Sequence, residues 1–206
     1  MRKPIVCIIL LLLIYTSIAF TGCTEQSYII ETQEQADIPV INETFDCNAE
    51  ECIDIINEDF VDMNLMQIPN CYTKEVITEI IDHDNVQKEY EYIIYHYNIS
   101  DALELALYSP NTSNEKVSAF KLVCKGSPGI SNADQAKADR YFKVICNNVC
   151  PMFDINGFLE DSQTDNNIQI DNLTFYTRLF NVNNEKSTQH KERIYCVSTM
   201  YDNDIL

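Results

Sequence analysis

The sequence predicts an α+β fold: an antiparallel sheet with one or two packed helices, linked by disulfides. Three observations predict it. Runs of alternating apolar and polar residues recur through the middle and the end of the chain. Two stretches show helical apolar spacing behind N-capping residues. Cysteines also fall on the apolar faces of both kinds of element, where a cross-link between layers would lie. At 206 residues the chain is long enough for one domain with a buried core.

The elements follow in order. Asn48 with Glu51 three residues later has the form of a capping box, and Cys52, Ile53, Ile56, Phe60 and Met63 then share one helical face. Pro69 stops any helix before Cys71, so a bridge from Cys52 or Cys47 back to Cys71 is sterically reasonable. Val76 to Ile81 and Tyr90 to Ile99 are rich in β-branched and aromatic residues and flank the turn-like Asp82-His83-Asp84-Asn85. In the second run the apolar phase slips from Tyr90, Tyr92 and Ile94 to Ile93, Tyr95, Tyr97 and Ile99. A bulge or burial on both faces would produce that slip. The tyrosines fit half-buried sheet better than a binding platform.

Leu103, Leu105 and Leu107 alternate against Glu104, and Phe120, Leu122 and Cys124 alternate against Lys121. This predicts a hairpin with a long loop through Ser109-Pro110-Asn111. Ser131 with Asp134 caps a second helix, whose apolar face is Tyr141, Phe142, Ile145, Cys146 and Val149 and which Pro151 ends. Packing that helix on the hairpin would bring Cys124 to Cys146, with Cys150 as substitute. Leu173 to Phe180 and Arg193 to Tyr201 close the sheet, and Cys196 lies in the last strand.

Arg2 and Lys3 precede an apolar run from Ile5 to Phe20, the layout of an export signal. The run meets Phe20-Thr21-Gly22-Cys23 and then the polar Thr24-Glu25-Gln26. This resembles the lipobox of prokaryotic membrane lipoproteins, and the resemblance covers only the leader. It implies that Cys23 carries the lipid and becomes the new N-terminus. Two other outcomes fit the same residues: cleavage after Ala19 with release of a soluble protein, or an uncleaved anchor. The resulting organisation is an export signal over 1–22, a flexible acidic tether over 23–45, and a single α+β domain over 46–206.

Setting aside Cys7 and Cys23, the body holds Cys47, Cys52, Cys71, Cys124, Cys146, Cys150 and Cys196. In an exported chain this odd set suggests three bridges and one leftover thiol. A metal site at Cys146 and Cys150 would need partners, but there is no CxxC pair and His83, His96 and His190 are scattered. No metal is expected.

Charge and composition exclude more than they assign. Loss of the leader takes the 14 basic residues to 12 against 32 acidic ones, and the net charge from -18 to -20. Such a surface repels phosphate backbones, which argues against a nucleic-acid partner. After the leader only Gly126, Gly129 and Gly157 remain, so no phosphate-cradling glycine loop or nucleophile elbow is present, and no cofactor is expected. Asp154-Ile155-Asn156-Gly157, with Glu160 and Asp161 nearby, lacks the remaining ligand positions of a calcium loop and reads as a polar turn. The expectation is therefore a membrane-anchored, cell-surface protein acting as a non-enzymatic binding or envelope-associated module. The alternative is an exported thiol-dependent enzyme that uses the unpaired cysteine, with His83 or His96 as partner.

Overall fold

The computed structural model describes residues 36–38, 40–41, 44–83, 86–111, 115–160, 166–183 and 189–199. The leader, Cys23 and the tether up to residue 35 lie outside them. So do Asp84 and Asn85 of the expected turn, Asp161, and Met200 and Tyr201 of the expected last strand.

The chain forms an α+β fold around a seven-stranded antiparallel sheet. A two-stranded ribbon, β1 (Val40–Ile41) and β2 (Thr44–Phe45), leads into helix α1 (Ala49–Asp62). Both halves of the expected capping box are present: Glu51 N donates to Asn48 Oδ1 at 3.0 Å, and Asn48 N donates to Glu51 Oε2 at 2.9 Å. Strands β3 (Thr73–His83), β4 (Val86–Ser100), β5 (Leu103–Pro110) and β6 (Ala119–Gly126) run as consecutive antiparallel neighbours. Helix α2 (Asn132–Val149) and the short α3 (Ile155–Glu160) follow, and then β7 (Asn166–Ile170), β8 (Leu173–Asn183) and β9 (Gln189–Ser198). Strand β9 inserts beside β6, which gives the order β3-β4-β5-β6-β9-β8-β7.

The hairpin forms in the expected phase, with Leu105 opposite Leu122 and Leu103 opposite Cys124. Their side chains join those of α1 and α2 in the main core. Burial on both faces accounts for the slip in β4. Tyr92, Ile93, Ile94 and Tyr95 are all buried, and the register against β5 is unbroken through them, shifting only further on, between Asn98 and Ser100. The second face of the sheet carries a smaller apolar cluster that includes Ile94, Tyr108, Tyr176 and Cys196.

Two stretches fold where the sequence pattern suggested none. Ile38 and Phe45 are core residues, and Ile38 N donates to Asn148 O at 2.9 Å, so the packing takes in residues that composition assigned to the tether. Asp154 does not begin a loose turn. Its carboxylate accepts from Gly157 N at 3.1 Å and starts α3, which buries Ile155 and Phe158. Gly126 ends β6 where a Cβ would collide with the backbone of Gly129, so only glycine fits.

The cysteine expectations need correction. Cys47 is bonded to Cys52, which ties the segment before α1 to its first turn, and neither reaches Cys71. Cys71, Cys124, Cys146, Cys150 and Cys196 are thiols. The expected Cys124–Cys146 bridge fails on register along the helix. Cys124 feels the charges of Asp134 and Asp139, in the first half of α2. Cys146 lies seven residues past Asp139, about 10 Å along a helix axis. Cys196 belongs to the opposite face of the sheet.

Candidate functional site

A groove of about 860 Å³ lies between α1 and the loop that follows it. Asp54, Glu58 and Asp62 line one wall, and Gln67, Pro69 and Asn70 line the other. The loop wall is held from inside the protein. Asn57 Nδ2 donates to Ile68 O at 2.9 Å, and Ile68 N donates to Asn57 Oδ1 at 2.7 Å, both buried. Tyr141 adds a hydrogen bond from its hydroxyl to Met66 O. The wall is therefore fixed to α1 and α2 by main-chain contacts, whatever the groove contains.

The helix wall is electrostatically unusual. Helix α1 carries Glu50, Glu51, Asp54, Glu58, Asp59 and Asp62 and no basic residue. Asp54, Glu58 and Asp62 are spaced four apart, so like charges stack along one face. They also crowd toward the C-terminal end, where the helix dipole already disfavours an anion. None has a basic partner among the described residues. Around them, Val61, Met63 and Met66 are 60, 56 and 52% exposed, which is uncommon for large apolar side chains standing together.

Two residues past Asn70, Tyr72 packs against two further tyrosines. The ring of Tyr72 lies 5.2 Å from Tyr95 and 5.5 Å from Tyr97. Tyr72 donates to Glu50 Oε1 at 3.2 Å, and Tyr95 donates to Glu115 Oε2 at 3.3 Å. Lys74 Nζ stands 5.4 Å from the centre of the Tyr95 ring and 3.7 Å from Glu115. Tyr97 is 1% exposed, and its hydroxyl has no hydrogen-bond partner among the described residues. Burial pushes the Tyr95 hydroxyl up to about 12, with Glu115 adding to it. Burial also raises Tyr97, and Tyr72, Glu50, Tyr95 and Asp54 act in the same sense.

A second polar cluster sits on the other face of the sheet. His96 Nδ1 lies 2.8 Å from Glu104 Oε1, and Lys125 Nζ lies 2.6 Å from Glu104 Oε2. His96 Nε2 comes within 3.3 Å of Glu75, an ion-pair distance without hydrogen-bond geometry. Burial works to raise the Glu104 carboxyl, but the bonds from Lys125 and His96 outweigh it and hold it below the usual range. Lys125 offsets the charge of Glu104. The cluster reads as structural.

His96, one of the two histidines proposed as thiol partners, pairs with carboxylates rather than with a thiol. His96 is engaged by two carboxylates, His190 lies 3.3 Å from Glu192, and the side chain of His83 is outside the described residues. Burial raises Cys124 to about 11 and Cys196 to about 12, and it raises Cys146 and Cys150 as well. A raised thiol holds less of the nucleophilic thiolate. Cys71 is exposed, between Asn70 of the groove and Tyr72. Among the described residues no three His, Cys, Asp or Glu side chains are gathered where they could hold a metal ion.

The fold and site together define a disulfide-bearing α+β protein with an acidic groove beside its first helix. Compared with protein-family models, with curated proteins and with solved structures, the chain matches none of them.

Sequence reasoning missed the groove. The acidic row of α1 was readable at four-residue spacing, but the opposite wall depends on Asn57 reaching eleven residues ahead to Ile68.

Proposed function

We propose that this chain is an extracytoplasmic lipoprotein, held at the outer face of a membrane through Cys23, that works as a non-enzymatic binding module. The groove beside α1 is its binding face. The observation that carries the reading is the row of Asp54, Glu58 and Asp62, unpaired among the described residues and edged by exposed Val61, Met63 and Met66. Such a row costs the helix stability, and a ligand supplying positive charge offsets that cost. The basic start, apolar run and Gly22-Cys23 junction support the anchor.

Mass spectrometry of the N-terminal peptide from membranes tests the anchor. The expected peptide begins at Cys23 and carries a lipid. A mature chain starting elsewhere, or recovered from cytosol, overturns it.

The exposed Cys71 at the groove's end favours a second reading, a thiol-dependent enzyme. Alkylation of the native protein separates the two. Cys71 is expected to react first and Cys124, Cys146 and Cys196 only on unfolding, with any activity or binding unchanged once Cys71 is blocked. Loss of function on blocking Cys71 would establish the thiol reading instead.

A further inference from the structure

We infer that the β3 edge of the sheet is a dimer interface, where β3 pairs antiparallel with β3 of a second copy about a twofold axis at Thr78. This goes beyond the binding face proposed above and does not depend on the groove.

The first support is the edge itself. Strands β3 and β7 close the two ends of the sheet. Strand β7 has 5 residues, short enough to discourage further pairing, whereas β3 has 11. Strand β3 contains no proline or glycine, and its register against β4 runs unbroken from Thr73 opposite His96 to His83 opposite Val86. Such a strand holds an uninterrupted row of outward N–H and C=O groups. Among the described residues no strand pairs with that side. Thr73, Lys74, Glu75, Val76 and Thr78 are exposed, Val76 at 55%.

The second support is self-complementarity. Thr78 is the midpoint of β3, so a twofold axis there overlaps the whole strand. Lys74 then falls opposite Asp82, Val76 opposite Ile80, and Thr78 opposite Thr78 of the second copy. All lie on the side of the sheet that carries Ile93 and Tyr95 in the main core. Opposite charges, β-branched pairs and threonine pairs are the cross-strand combinations that favour antiparallel pairing. The twofold repeats the first two of these pairings. On the other side Glu75 falls opposite Ile81 and Ile77 opposite Glu79, so no like charges meet. Moving the axis to Ile77 sets Glu75 opposite Glu79, and moving it to Glu79 sets that residue opposite itself.

Charged residues ordinarily block an edge. Here they choose a register. Two copies with a net charge of -18 each repel at a distance, and the opposition of Lys74 to Asp82 is what lets their edges meet. Lys74 stays available for this, because its 3.7 Å pair with Glu115 leaves the side chain 44% exposed.

Sedimentation equilibrium of the full chain in density-matched detergent micelles tests this. A monomer–dimer equilibrium is expected, weakened about tenfold by Lys74→Glu, which sets a glutamate opposite Asp82 at two symmetric positions. Lys74→Glu/Asp82→Lys exchanges the charges and should restore the dimer, which loss of the Glu115 contact alone would not allow. In a Cys71→Ser background, Thr78→Cys is expected to form an intermolecular disulfide under mild oxidation and Val76→Cys is not, since only the residue on the axis meets its own copy. Thermal unfolding verifies that each variant folds. A chain that stays monomeric at every concentration, a dimer untouched by Lys74→Glu or not recovered by the exchange, or cross-linking of Val76→Cys in preference to Thr78→Cys would each overturn the assignment. None of those outcomes bears on the groove or on the lipid at Cys23.

Discussion

Asn57 holds Ile68 by both polar groups of its main chain, and that single side chain makes the groove's second wall. In Asn57→Ala, the Ile68 N–H and C=O stay buried and lose their partners. Each group left unpaired costs about 1–3 kcal/mol. Urea unfolding is expected to show a loss of about 2–6 kcal/mol for the two groups, and a change under about 0.5 kcal/mol would mean that water replaces the amide. Nothing in the sequence marks this pair, because an asparagine near the middle of a helix ordinarily faces solvent. Asp154 teaches the same lesson at the scale of one side chain. Its bond to Gly157 N turns an apparent polar loop into the start of α3.

At the scale of an element, α1 is built against its own electrostatics. Its capping box and its acidic first turn suit the N-terminus, but Glu58, Asp59 and Asp62 burden the other end. Asp59 is relieved by Asn148, whose amide donates to it at 2.8 Å. The groove-lining carboxylates have no such relief among the described residues. Neutralising them in Asp54→Asn/Glu58→Gln/Asp62→Asn is therefore expected to raise stability by about 0.5–2 kcal/mol. Thermal and urea unfolding read the sign directly. A destabilised variant would make the row structural and remove the reason to assign it to a ligand. The same scale explains the cysteine correction. The apolar faces of β6 and α2 were legible from periodicity, and the two do pack together. Their offset along the helix axis was not, and it leaves Cys124 under the charges of Asp134 and Asp139 rather than bonded to Cys146.

Across the whole molecule, burial of neutral thiols and phenols makes stability depend on alkaline pH. Cys124 is raised from 9.0 to about 11, Cys196 from 9.0 to about 12, and Tyr95 from 10.0 to about 12. A group whose folded pKa is raised contributes stability that is fully present below its unfolded value and lost as pH rises through the folded one. Stability should therefore hold up to pH 9.0 and fall from there to about 12, with the midpoint in urea as the measure. A flat profile across that window would contradict the burial of these groups. Cys124→Ala should soften the early part of the decline while leaving the Tyr95 contribution in place.

The sequence by itself determined the α+β class, both capped helices and the hairpin phase. Each of these is a local property, set by side-chain periodicity or by residues a few positions apart. Only the tertiary structure decided which cysteines pair, where β9 inserts in the sheet, and that a helix and a loop face each other across an acidic groove. Those outcomes depend on contacts between residues far apart in the chain, whose relative offset no local pattern encodes.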